Sequence, residues 1–108
     1  MRYVLAVLLA VHGLIHLLGP AKAFRWAEVP QLRQPVAPRD GALWLAAAVL
    51  LVAASVVVAL GARWWWMVAL PGVVLSQRLI VGAWGDAKFG TVANAILALL
   101  ILAAAGAR

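Results

Sequence analysis

Long apolar runs separated by short polar breaks dominate this chain. The first run, Val4 to Gly19, has Arg2 and Tyr3 before it and Lys22 after it, side chains that reach interfacial water from the ends of a span. The second, Gly41 to Leu60, has Ser55 as its only polar side chain and closes on the turn Gly61-Ala62-Arg63. It reads as a lipid-facing or scaffold helix. The third, Trp64 to Val81, opens on the aromatic anchor Trp64-Trp65-Trp66, and Pro71-Gly72 within it predicts a kink. The fourth, Phe89 to Ala105, is rich in small residues; Ala87, Thr91, Ala95 and Ala98 offer a face that a neighbouring helix, or a second copy of the chain, can approach closely.

The pattern therefore predicts an all-α fold, an integral membrane four-helix bundle in a single domain over 1-108, with spans at about 4-19, 41-60, 64-81 and 89-105. Between the first two spans, residues 21-40 change character. Pro30, Pro35 and Pro38 prevent a long helix there, while Phe24, Trp26, Val29 and Leu32 alternate with Lys22, Arg25 and Arg33. That alternation predicts an interfacial segment lying along the headgroups. The N-terminal run also has the look of a signal peptide, with Arg2 as n-region and Ala21-Lys22-Ala23 as a small-x-small site; the two His residues inside it favour a retained helix.

Composition agrees with bilayer as the solvent: 68% of residues are hydrophobic, 11% are charged and the mean hydropathy is +1.06. The net charge of +6 would suggest nucleic acid in a soluble protein, but here the nine Lys and Arg sit singly at the ends of apolar runs, where they set topology. The absence of Cys excludes disulfides, thiolate metal sites, iron–sulfur clusters and covalently attached c-type haem. His, carboxylate and amide groups must carry any chemistry.

Four spans put the loops after the first and third on one face, and the turn at residues 61-63 with both termini on the other. At ~1.5 Å per residue, His16 lies ~4.5 Å and His12 ~10 Å below the first loop, with Gln77 and Asn94 at similar depth below the third. His12 and His16, four apart, share a helix face; Thr91 and Asn94, three apart, share another. Arg78, Asp86 and Lys88 stand at the mouth. These eight residues, His12, His16, Gln77, Arg78, Asp86, Lys88, Thr91 and Asn94, predict one polar pocket in one leaflet, since polar groups in a membrane interior pair or face a cavity.

Several occupants fit such a pocket. A lipid-like or quinone-like molecule can take hydrogen bonds from His16, Asn94 or Gln77 and lay its tail on alanine and leucine faces. The chain can equally be an accessory subunit of a membrane complex. Zinc or copper can be shared by His12 and His16 with Asp86 as third ligand, and haem can take one axial His with Gly13 or Gly19 admitting the ring. Alternatively the polar residues only cross-link helices, and Arg78 with Asp86 forms an ion pair that closes the short loop. Position 13 is Gly, so no HExxH motif exists, and no phosphate loop or nucleophile elbow is present; binding is expected rather than catalysis.

The segments HGLIHLLGPAKAF, QLRQPVAPRDGALW and SQRLIVGAWGDAKFGTVANAI together resemble a group of small uncharacterised bacterial four-span membrane proteins with a His-rich first helix and a DAKFGT-x-AN segment. The resemblance implies the same fold and a multi-pass place in the bacterial inner (cytoplasmic) membrane, without implying a reaction. The layout of one span, a Pro-containing loop and three further spans is similar to that of DoxX-like membrane proteins, some linked to quinone or thiol oxidation. Without Cys, this chain lacks the thiol. Charge counting places Lys22, Arg25, Arg33, Arg39 and Lys88 on the face of the first and third loops, against Arg2, Arg63 and Arg108 on the other, so the positive-inside rule puts both termini outside.

Overall fold

The structure, a computed structural model, describes residues 2-106, and among them every regular element is helical. Helix α1 covers Arg2–His16, α2 Leu18–Ala23, α3 Pro38–Ala59, α4 Trp66–Gly82 after a 3-10 turn at Arg63–Trp65, α5 Trp84–Ala87 and α6 Gly90–Gly106. Three stretches, Arg2–Ala23, Pro38–Ala59 and Arg63–Gly82, are long and apolar enough to cross a membrane, and α6 is apolar but shorter. Arg108, counted in the charge balance above, lies outside the described residues.

The elements begin and end where local chemistry dictates. The break between α1 and α2 falls at Leu17 because Pro20 has no N–H for the His16 carbonyl and its ring crowds that position; the Leu17 N–H turns instead to Leu14 O at 3.1 Å. Helix α2 ends with Arg25 at φ 57°, an unusual left-handed non-glycine position, held by Trp26 N–H to Ala21 O at 2.9 Å. Pro38 starts α3 from the first helical turn, where its missing N–H costs nothing. At the far end Gly61, φ 78°, makes the same left-handed stop, with Gly61 N–H bonded to Val58 O and Ala62 N–H to Val57 O. The segment expected to be interfacial over 21-40 is thus helical at both ends and irregular only between Phe24 and Ala37.

Helix α3 is the scaffold of the fold, one of the two roles expected of it. Ala47, Ala48, Leu51, Ala54, Ser55 and Val58 are buried along it, and small residues let two neighbours close on it from both sides. A Cβ on Gly13 of α1 would come within 2.9 Å of Val52, and one on Gly72 of α4 within 3.2 Å of Leu50 and Leu51. At Pro71-Gly72, where a kink was expected, α4 stays helical through both residues, with Pro71 exposed and Gly72 seated against α3. Helix α6 packs through Asn94, Leu97 and Ile101; Ala95, expected on its contact face, is exposed.

The exposed faces are as apolar as the buried ones. On α1, Leu5, Leu9, His12 and His16 turn inward while Val4, Val7, Val11, Leu14 and Ile15 are each more than half exposed. A helix in water would carry polar residues on that outer face.

Candidate functional site

The helix geometry aims the polar residues at one another. His12 and His16 lie one turn apart on the inner face of α1, facing Ser76 and Gln77 of α4 and Asn94 and Thr91 of α6. The carbonyl of His12 can only accept, so the His16 Nδ1–H donates to it at 2.7 Å, and the Ser76 hydroxyl donates to His16 Nε2 at 2.6 Å. Asn94 Nδ2 donates to Ser76 Oγ at 3.0 Å and to Gln77 Oε1 at 3.1 Å, and its Oδ1 accepts from His12 Nε2–H at 2.7 Å. Gln77 Nε2 then donates to Thr91 Oγ1 at 3.1 Å. One directed network joins three helices, and among the described residues no buried side-chain polar atom lacks a partner.

A metal shared by the two imidazoles would first have to break this arrangement, because both ring nitrogens of His16 are engaged. The imidazoles meet edge to face, centroids 4.6 Å apart at 80°, and three of their four ring nitrogens carry the hydrogen bonds above, not converging on a common point. Asp86, expected as a third ligand, is not near them; among the described residues no group of three or more His, Cys, Asp or Glu is placed to hold a metal ion. The two glycines expected to admit a haem ring are both packed against neighbours. Gly13 is filled by α3, and a Cβ on Gly19 would fall 2.4 Å from Trp44 Cγ.

The other half of the expected pocket is a separate feature. A cavity of about 340 Å³ opens between the 32-36 segment, the start of α3 and the end of α4. Leu32, Pro35, Val36, Leu79 and Val81 give it apolar walls, and Asp40, Arg78 and Asp86 give it charge. The Asp86 carboxylate accepts the Gln34 N–H through Oδ2 at 2.8 Å, tying the first loop to the third. That bond replaces the expected Arg78–Asp86 pair and brings together the two loops that span parity puts on one face. Lys22 Nζ donates to Leu32 O and fixes the same loop from the other side.

Trp44 stands between the two features: its ring lies 5.0 Å from that of His16 and also lines the cavity. The eight residues expected to form one pocket therefore divide. His12, His16, Gln77, Thr91 and Asn94 join the closed network, Arg78 and Asp86 face the cavity, and exposed Lys88 belongs to neither, its ammonium lying 5.4 Å from the Phe89 ring.

Sequence reasoning missed Ser76, the hydroxyl at the centre of the network, and Trp44 and Asp40 of the cavity. Ser76 had a usable signal, since it adjoins Gln77 and faces the His pair at the same depth. Asp40 had another, as one of only three carboxylates in the chain. No family model, curated protein or solved structure matches this chain, so its chemistry rests on its own atoms.

Proposed function

We propose that the chain is a multi-pass protein of a bacterial cytoplasmic membrane, a four-helix bundle that binds the head of a lipid-like amphiphile in the cavity beside Trp44. The observation that carries this reading is the cavity itself, about 340 Å³, with apolar walls and three charged side chains at one end of the bundle. Three membrane-capable helices and an apolar outer surface support the membrane location, and α6 serves as the fourth span. The cavity then opens at the face carrying Lys22, Arg25, Arg33, Arg39 and Lys88, which the positive-inside rule assigns to the cytoplasm. The chain acts by binding, without catalysis, and the His network fixes the helices around the site.

Gly82 provides the test. It lines the cavity, and a Cβ added there meets nothing within 4 Å, so Gly82→Leu adds bulk at the cavity's edge without disturbing a packed neighbour. Protein purified in mild detergent and analysed by native mass spectrometry retains bacterial phospholipid, and Gly82→Leu retains at least tenfold less. Equal lipid on both would overturn the reading. Because the chain has no Cys, single cysteines at positions 25 and 63 test topology cleanly. They label from opposite sides of the membrane if the bundle spans it as proposed.

A further inference from the structure

We infer that the preferred occupant of this cavity is a membrane lipid whose head carries both a primary ammonium and a phosphate, an aminophospholipid. The inference rests on the lipid-binding reading above and adds the chemistry of the head. The chain has nine Lys and Arg but only three carboxylates, Glu28, Asp40 and Asp86. Two of those three line this one cavity, with Arg78 as its only cation among the described residues.

Charge of both signs in one small volume selects the ligand. A purely anionic head would meet two carboxylates, and a purely cationic one would meet the guanidinium. A neutral quinone would leave the charges of Asp40 and Arg78 unanswered, and that of Asp86 answered only by the Gln34 N–H. A zwitterion matches both signs, phosphate on Arg78 and ammonium on the carboxylates. Asp86 uses Oδ2 on the Gln34 N–H, which leaves Oδ1 as an acceptor. An ionised carboxylate only accepts hydrogen bonds and a primary ammonium offers three donors, whereas choline offers none. The apolar walls, Leu32, Val36, Leu79 and Val81, take the glycerol backbone and the first methylenes. Nothing in the cavity calls on the His network, whose amides and three of whose four ring nitrogens are engaged on the other side of Trp44.

The test offers the detergent-purified full chain equal amounts of phosphatidylethanolamine, phosphatidylglycerol and phosphatidylcholine of matched acyl chains, with retention read by native mass spectrometry. Phosphatidylethanolamine is retained about tenfold over each of the others. Asp40→Asn with Asp86→Asn brings that ratio to near one; asparagine keeps an oxygen for the Gln34 N–H, so the loops stay joined. Arg78→Gln weakens retention of all three lipids, which share the phosphate contact, while the preference for the amine survives. Glycerophosphoethanolamine in water, the same head without chains, does not displace the lipid at equal concentration; displacement would overturn a membrane source for the ligand. If wild type shows no preference, or the double Asp variant keeps it, while Gly82→Leu still loses lipid, the amine assignment falls and the lipid-binding reading stands. If Gly82→Leu loses no lipid, both fall.

Discussion

The His12–Asn94 network and the Asp40–Asp86 cavity are separated by the ring of Trp44, and they handle polarity in opposite ways. In the network, donors and acceptors answer one another: carbonyl, two imidazoles, hydroxyl and two amides in directed sequence, with Thr91 at the end. In the cavity, three charged groups face open volume, and one backbone N–H, that of Gln34, bonds to them. A buried polar group with every partner supplied from within is a fastener. A charged group facing space is, on the proposed reading, a receptor. Polar residues in a membrane bundle therefore do not announce function by their polarity; what distinguishes them is whether the fold has already satisfied them.

The difference can be broken most forcefully at Asn94, which bonds to His12, Ser76 and Gln77 at once. Asn94→Leu leaves three partners without it, and at the lower end of the penalty for a buried unsatisfied polar group, about 1 kcal/mol each, the loss of stability is about 3 kcal/mol. Unfolding in detergent by steric trapping or heat measures it, while lipid retention in the folded fraction stays at the wild-type level. A variant of normal stability, or one that sheds lipid while folded, would erase the distinction between fastener and receptor.

Gly19 probes the partition between the two regions. Its absent side chain makes room for Trp44: a Cβ there would sit 2.4 Å from Trp44 Cγ and 2.5 Å from Trp44 Cβ, atoms too close to the backbone to swing aside. Gly19→Ala therefore costs about 2 kcal/mol by overpacking, and it also moves the indole that walls the cavity. Stability and lipid retention should both fall in this variant. Loss of stability alone would mean that Trp44 is not a wall the ligand touches.

How much of this was legible beforehand follows from what a sequence records. Depth and helix face can be read from spacing, so His12, His16, Gln77, Thr91 and Asn94 could be grouped by their level below one set of loops, and the Gln34–Asp86 bond joins the two loops that parity pairs. The angle at which each helix turns about its own axis cannot be read that way; packing decides it. Rotation of α4 directs Ser76 to the His pair and leaves exposed Arg78 at the cavity, and no spacing rule separates them. Trp44 sits in an otherwise apolar span and gave no sign of its place between two sites. Pro71 marked where α4 loses a hydrogen bond, but nothing in the spacing showed that Gly72 beside it would seat against Leu50 and Leu51 of α3.

Ser55 supplies a milder comparison, a polar contact outside both regions. Its hydroxyl donates to Ala6 O at 2.6 Å, one isolated bond between α3 and α1. Interhelical hydrogen bonds in membranes average about 0.6 kcal/mol, so Ser55→Ala should cost about that much in the same unfolding assay. A cost equal to that of Asn94→Leu would mean that the network has no strength beyond its single bonds.

The one change not expected to lower stability is at Gly82, and it is informative because so different a result follows if the cavity is not open. Gly82 is the last residue of α4, it lacks a left-handed backbone, and a Cβ placed there meets nothing within 4 Å. Replacing a helical glycine removes backbone entropy from the unfolded chain and gains up to about 0.8 kcal/mol, while filling a packed interior costs about 1 to 3 kcal/mol. The two possibilities have opposite signs. Gly82→Leu should be as stable as wild type or slightly more so in lipid-free detergent, and should lose the added stability that phospholipid gives wild type, since a ligand that binds only the folded state raises its stability by mass action. A destabilised Gly82→Leu would show that the volume beside Trp44 is closed by packing, as the His network is closed by hydrogen bonds, and the contrast between the two regions would disappear.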